Sequence, residues 1–333
     1  MKILLLADGG PGVGLGHATR CIALTSELLD LGHDAVIIVD IDSGLEDYVR
    51  SQGCSYLATE TTPESMQYLS RKLDAKVIVI DSYRWATMDF SSLRGSACKV
   101  IAFDDKGTRL LPVDAVINGA ISATEIGYQV PPGAKLFLGP EFQVIRNSFK
   151  KLPIRAEFGS SRRVIVLVGG DDPLGLLPFL ANTLENFSIQ FRPKLSLDIV
   201  CGPFAKTSGI KENQHLKILK NPKDLPERMA LADFAVSASG QTLYELAKCG
   251  TPTIGFTTGQ DQERNLRDLE SVGFLISTGD ARKPEWPRRL ETALDLLANN
   301  VKLRIQMSNA GQKLIDGFGS TRLAKEISLL GAR

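Results

Sequence analysis

The chain has 333 residues, 43% hydrophobic and 23% charged, and sets 39 basic against 38 acidic side chains for a formal net charge of +1. That length can bury a large core and hold two domains of ordinary size, while the near-zero charge excludes the electrostatic footprint of a nucleic-acid binder or of a protein held on an anionic membrane surface. Five scattered cysteines (Cys21, Cys54, Cys98, Cys201, Cys249) with no Cys-x-x-Cys pair exclude a disulfide framework and a structural zinc site.

In chain order, the apolar run Ile3-Leu4-Leu5-Leu6-Ala7 reads as a buried parallel strand. It is too short for a signal peptide, and no stretch approaches the length of a membrane span, so a cytoplasmic protein without membrane insertion is expected. Glycines follow, then Gly14-Leu15-Gly16-His17-Ala18-Thr19-Arg20-Cys21 and an amphipathic helical segment over 18–31. A strand, a glycine turn and a helix N-terminus aim free N–H groups and the positive end of the helix dipole at an anion. His17 in the first helical turn, with Arg20 one turn further on, adds a titratable base to that cradle.

Strands are predicted over 35–39, 77–80, 100–103 and 115–117, separated by segments of helical period, the pattern of a parallel sheet wrapped by helices. Between about 147 and 163 the chain turns polar and rich in Pro, Gly and Ser (Lys150-Lys151-Leu152-Pro153, then Gly159-Ser160-Ser161-Arg162-Arg163), which reads as an interdomain linker. The alternation restarts with strands over 164–168, 195–201, 216–219, 234–236, 253–256 and 274–276, and ends in helical stretches over 285–297, 301–315 and 320–330. The expected architecture is α/β, with two doubly wound Rossmann-like domains facing a central cleft. An N-terminal domain over 1–150 carries the Gly-x-Gly-His loop, and a C-terminal nucleotide-binding domain covers 160–333, its last helix a candidate to pack back on the first domain.

Ligands of doubly wound sheets bind beyond the carboxyl ends of the strands. In the second half the turns there are Gly169-Gly170-Asp171-Asp172-Pro173 and Ser237-Ala238-Ser239-Gly240-Gln241-Thr242, the latter leading into a helix with Glu245. Ser237 or Ser239 is a candidate cap, the backbone of Gly240, Gln241 and Thr242 a phosphate contact, and Glu245 an acceptor for a ribose diol. Plainer readings stand beside these. Asp171-Asp172 before Pro173 is read as a helix start rather than a metal pair. Asp104-Asp105 is open between a ligand-facing role and a turn, and Tyr83 between sugar contact and packing. Arg20 is read as a carboxylate's partner ahead of a phosphate ligand, Cys21 as core, and His33 and His215 as structural or solvent-facing.

The motifs Gly14-x-Gly16-His17-x-x-Arg20-Cys21, Ile80-Asp81-Ser82-Tyr83, Phe103-Asp104-Asp105, Leu138-Gly139-Pro140-Glu141-Phe142 with Arg146, Gly169-Gly170-Asp171-Asp172-Pro173 and Ser239-Gly240-Gln241-Thr242-Leu243-Tyr244-Glu245 occur in that order over nearly the whole chain. Together they resemble the UDP-sugar hydrolases of pseudaminic acid biosynthesis and the related spore-coat polysaccharide G-type proteins. The resemblance implies a GT-B fold and cleavage of UDP from a UDP-2,4-diacetamido-2,4,6-trideoxy-hexose. It makes His17 the residue that activates water, and Glu245 with Gly240–Thr242 the UDP holder; Gly14, Gly16, Arg20, Tyr83, Gly169, Gly170, Ser239, Asp261 and Gln262 complete the substrate contacts. The chain departs from that family in carrying Asp261-Gln262 for the usual Asn-Gln and Ala238-Ser239-Gly240 for Gly-Gly-Ser, which puts a carboxylate near the expected sugar or phosphate.

Two other chemistries compete with metal-independent, cofactor-free hydrolysis. A glycosyltransferase would use the same base on an acceptor hydroxyl instead of water. A dinucleotide oxidoreductase is suggested by Asp40 at the end of the second strand, but the fingerprint fails: counted from Gly10 the third glycine falls on Leu15, and from Gly12 on His17.

Overall fold

The computed structural model describes residues 1–94, 97–155, 163–191, 194–206 and 208–332; Gly159-Ser160-Ser161-Arg162, the centre of the expected linker, lies outside them. Two compact units divide the chain, one made of Met1–Asn147 and Gly317–Arg333, the other of Ser148–Asp316.

Unit 1 is built on a seven-stranded parallel sheet. Its strands are β1 (Lys2–Ala7), β2 (Asp34–Asp40), β3 (Tyr56–Thr59), β4 (Ala75–Asp81), β5 (Lys99–Phe103), β6 (Ala115–Asn118) and β7 (Lys135–Leu138), in the spatial order β3-β2-β1-β4-β5-β6-β7. Ile3, Leu4, Leu5 and Leu6 are all fully buried, because helices cover both faces of a parallel sheet; that is why β1 and β4 read as unbroken apolar runs and not as alternating ones. From β1 the chain winds outward through β2 and β3, then crosses back to lay β4 on the other side of β1. The β1–β4 junction is therefore the switch point of the sheet, and Ala7 pairs in register with Asp81 there. The last helix, Gly319–Gly331, belongs to this unit: Leu323, Ala324 and Ile327 enter its core, and Thr321 Oγ1 donates to Glu27 Oε2 at 2.6 Å.

Unit 2 repeats the plan with six parallel strands: β8 (Arg163–Leu167), β9 (Ser196–Cys201), β10 (Leu216–Lys220), β11 (Phe234–Ala238), β12 (Thr253–Thr257) and β13 (Leu275–Asp280), ordered β10-β9-β8-β11-β12-β13. Its switch point is between β8 and β11. Among the described residues no helix is long and apolar enough to cross a membrane.

The loop after β1 is tied into a small closed turn, in which Gly10 N donates to Gly14 O at 3.0 Å and Gly14 N donates back to Gly10 O at 2.8 Å. Gly10 has φ +113°, and a Cβ there would collide with the carbonyl oxygen of Ser43 in the loop after β2. The glycine is thus required twice, by dihedral and by close approach. Gly10→Ala is expected to lower unfolding free energy by about 1–3 kcal/mol from backbone strain alone, measured as a reduced urea midpoint at unchanged m-value; an unshifted midpoint would contradict the turn as described.

Candidate active site

The helix Gly16–Asp30 leaves the glycine turn with Leu15 at its N-cap position and no side-chain cap, and places His17 one residue inside. His17 is 8% exposed, and its Nδ1 lies 2.5 Å from Oδ1 of Asp81, the last residue of β4, which is fully buried. Burial pushes the Asp81 carboxyl up, but the charges of Arg20 and His17 with their hydrogen bonds outweigh it and hold Asp81 well below the usual carboxylate range. An ionised carboxylate only accepts, so Nδ1–H donates to it and the tautomer leaves the lone pair on Nε2. Among the described residues Nε2 makes no hydrogen bond. A buried carboxylate behind Nδ1 and an open Nε2 are the elements of an oriented general base.

Arg20 closes the cluster from the next turn of the same helix. Its Nε and Nη2 donate to Asp81 Oδ2 and Oδ1 at 2.9 and 2.8 Å, and its Nη1 donates to both oxygens of Asp105 at 3.0 Å. Nη2 also stands 3.2 Å from His17 Nδ1. The guanidinium lies over the Phe103 ring, 4.8 Å from its centroid, and is committed to two carboxylates, which leaves it poorly placed to serve a phosphate. Tyr83, two residues beyond Asp81, donates its hydroxyl to Asp105 Oδ2 at 2.8 Å and sets its ring edge-on to His17, centroids 4.6 Å apart. Burial first, then the charge of Asp105, pushes the Tyr83 phenol well above its ordinary value, so it remains a donor. Lys106 Nζ caps the Tyr83 ring at 4.1 Å.

A second network lies beside the first. Buried Asp8, just past β1, accepts from Ser82 Oγ at 2.5 Å and from Arg84 Nη2 at 2.6 Å, while Arg84 Nη1 reaches Asp40 Oδ2 at 3.4 Å. Asp104 and Asp105, open between turn and ligand roles in the sequence, divide the two: Asp104 Oδ1 accepts from the backbone of Lys106 and Gly107 at 2.8 and 2.6 Å, whereas Asp105 faces the His17 cluster. Cys21 is fully buried, His33 Nε2 contacts Ser328 Oγ at 2.6 Å, and His215 is half-buried.

In unit 2 the predicted nucleotide contacts gather on the loops after β8, β11 and β12, neighbouring strands of its sheet. Gly169 has φ +95°, and the Gly170 carbonyl accepts from Phe204 N at 3.1 Å. The expected serine cap does not form. Ser239 Oγ donates to Phe256 O at 2.8 Å and Ser237 Oγ to Ala238 O at 3.0 Å, because both side chains are fully buried beside strand carbonyls. The helix Thr242–Cys249 consequently starts at Gln241 without a side-chain cap. Gly240 has an ordinary dihedral, and a Cβ there would meet nothing within 4 Å, so this unit's own packing does not require a glycine. Glu245 is 2% exposed. Asp261 is exposed on the short 3-10 turn Gln260–Gln262, and Gln262 Oε1 accepts from Thr258 N at 3.0 Å. The helix expected at Asp172-Pro173 starts four residues later, as Leu177–Ser188 with Leu176 at its N-cap position and Pro178 in its first turn, and Asp172 accepts from Leu176 N and Leu177 N there, both at 2.9 Å.

The residues that sequence reasoning did not place in the site are Asp81, Asp8 and Arg84; Asp105 it left open between a ligand-facing role and a turn. Asp81 ends a strand and the others follow one, and for the aspartates an Asp at the end of an apolar run is the available signal. Knowing which strand ends are neighbours requires the sheet order.

No family model matches the chain. The spore coat polysaccharide biosynthesis protein SpsG of Bacillus subtilis is 22% identical, over 97% of this chain and 96% of its own. A Helicobacter pylori protein described as pseudaminic acid cytidylyltransferase and UDP-2,4-diacetamido-2,4,6-trideoxy-β-L-altropyranose hydrolase is 23% identical over 84% of this chain and 48% of its own. An uncharacterized protein of Methanocaldococcus jannaschii is 21% identical over 76% of this chain and 55% of its own, so the chain spans about half the length of these last two relatives. Among solved structures, the spinosyn rhamnosyltransferase SpnG superposes with a TM-score of 0.71 at 13% identity, covering 98% of this chain and 100% of that one. MurG of Acinetobacter baumannii superposes with a TM-score of 0.67 at 12% identity, covering 98% and 99%. The fold is that of the GT-B glycosyltransferases, two Rossmann-like α/β domains each built on a parallel sheet.

Proposed function

We propose that this protein is an enzyme of nucleotide-sugar metabolism that hydrolyses a UDP-activated, di-N-acetylated deoxy-hexose to UDP and the free sugar, in nonulosonic acid or surface polysaccharide biosynthesis. The observation that carries this reading is the His17–Asp81 pair at 2.5 Å with Nε2 left open. In the proposed step Nε2 takes a proton from water as the water oxygen bonds to the anomeric carbon. The bond from that carbon to the diphosphate oxygen breaks, its electron pair leaves with UDP, and single displacement inverts the centre. Asp81 holds the imidazole in the tautomer that accepts and balances the charge it acquires. Gly169, Gly170, the Ser239–Thr242 turn, Glu245, Asp261 and Gln262 are assigned to the nucleotide and its phosphates, with Gly240 giving the ligand close access to the backbone. Gly14, Gly16, Tyr83 and the Arg20 cluster are assigned to the sugar side. The names of SpsG and of the Helicobacter pylori protein support this substrate class.

Transfer to an acceptor hydroxyl is the second reading, favoured by the glycosyltransferase names of the structural neighbours. The two separate when UDP release is followed over a panel of UDP-sugars, with EDTA and no acceptor. Expected is rapid, chelator-insensitive release with free sugar as co-product. Release only on addition of an acceptor would establish a transferase, with His17 acting on a hydroxyl.

A further inference from the structure

Resting on the reading of His17 as the base, we infer that Arg20 and Asp105 are positioning residues whose opposed charges set how readily His17 takes up a proton. Arg20 forms a two-point fork to Asp81 and a second contact to both oxygens of Asp105, while its Nη2 sits 3.2 Å from the imidazole Nδ1. The Asp81 carboxylate behind Nδ1 favours the imidazolium. The Arg20 guanidinium beside it opposes that charge. Sharing one guanidinium between two carboxylates gives an intermediate field. With neutral imidazole the cluster of His17, Asp81, Arg20 and Asp105 carries one excess negative charge, and it becomes neutral when His17 accepts the proton of water.

The charged and titratable groups around the imidazole come from three further elements. Asp81 and Tyr83 lie at and beyond the end of β4, Asp105 and Lys106 lie in the loop after β5, and Asp8, past the end of β1, is neutralised by Arg84. Lys106 contacts the Tyr83 ring and Arg84 belongs to the second network, so after Asp81 itself the charge next to Nδ1 is Arg20 at 3.2 Å, with Asp105 paired to it. Asp105 reaches His17 through Arg20 on one side and through the Tyr83 hydroxyl on the other.

The chain has three histidines, so His17 can be followed by NMR titration of the imidazole signals in the ligand-free protein, with His33 and His215 as internal controls. Asp105→Asn removes a negative charge and is expected to move the His17 midpoint down. Arg20→Met removes a positive charge and is expected to move it up. Each shift should be roughly one pH unit, the scale of a charge a few ångströms away. Asp105→Glu should return the midpoint towards wild type. The Asp105 side chain is 29% exposed, so its two variants decide the matter even if the buried Arg20→Met chain does not fold. Unmoved midpoints, or shifts of the same sign for Asp105→Asn and Arg20→Met, would overturn the inference. The experiment is independent of turnover: failure of the base reading would appear instead as UDP release surviving loss of His17.

Discussion

His17→Asn is expected to lower UDP release by about 10²–10⁴-fold, the usual contribution of a positioned general base, while UDP affinity measured by calorimetry stays near wild type. Asparagine is uncharged and close in size to the part of the imidazole that meets Asp81, so the helix Gly16–Asp30 keeps its place and only the proton acceptor is lost. His17 belongs to unit 1, whereas the residues assigned to UDP belong to unit 2, and this predicts that binding and chemistry separate cleanly. Turnover retained in this variant would remove His17 from the mechanism. A parallel loss of UDP affinity would instead make it a ligand contact.

Asp81→Asn is expected to damage activity and stability together. An asparagine cannot balance an imidazolium and can present its amide to Nδ1, which favours the unproductive tautomer; a loss of about 10²–10⁴-fold in kcat follows. The same change leaves the buried Arg20 guanidinium, 11% exposed, with Asp105 as its one charged partner among the described residues. Breaking a buried pair in this way costs about 3–5 kcal/mol. The pH dependence has a definite sign. Asp81 is held below the usual carboxylate range in the folded chain, so its stabilisation is present above that range and lost as pH falls through it towards the lowered value. Urea titrations of wild type and Asp81→Asn should therefore differ most near neutral pH and converge in acid. A difference that stays constant from pH 7 into the carboxylate range would mean that Asp81 does not gain its stability as an anion.

Much of the architecture is legible without coordinates, because a buried parallel strand needs an unbroken apolar run and the helix beside it needs a 3.6-residue stripe. The runs at 35–39, 77–80 and 100–103 are the cores of β2, β4 and β5, and the helical segment over 18–31 corresponds to Gly16–Asp30. The exceptions are edge strands. β3 has no fully buried residue, and β7 reads Lys135-Leu136-Phe137-Leu138 with two exposed positions. Their strand character comes from pairing, Ile37 with Tyr56 and Ala115 with Lys135, and local composition carries little trace of it. Loop geometry was similarly out of reach in unit 2, where strand carbonyls claim the hydroxyls of Ser237 and Ser239.

The candidate site divides along the same line. A base in the first turn of a helix that leaves a glycine loop is a local feature, and residues 14–21 contain all of it. The partners that make the base useful stand far away in the chain: Asp81 is 64 residues from His17, and Asp105 is 85 from Arg20. They meet because β4 crosses back to lie beside β1 and β5 lies beside β4. Residue chemistry and local periodicity are properties of short segments, so they can be read directly. Which strand ends become neighbours depends on the order of the sheet, a global outcome of burying every apolar strand between two layers of helices, and that order turns one histidine and scattered aspartates into a single charged cluster.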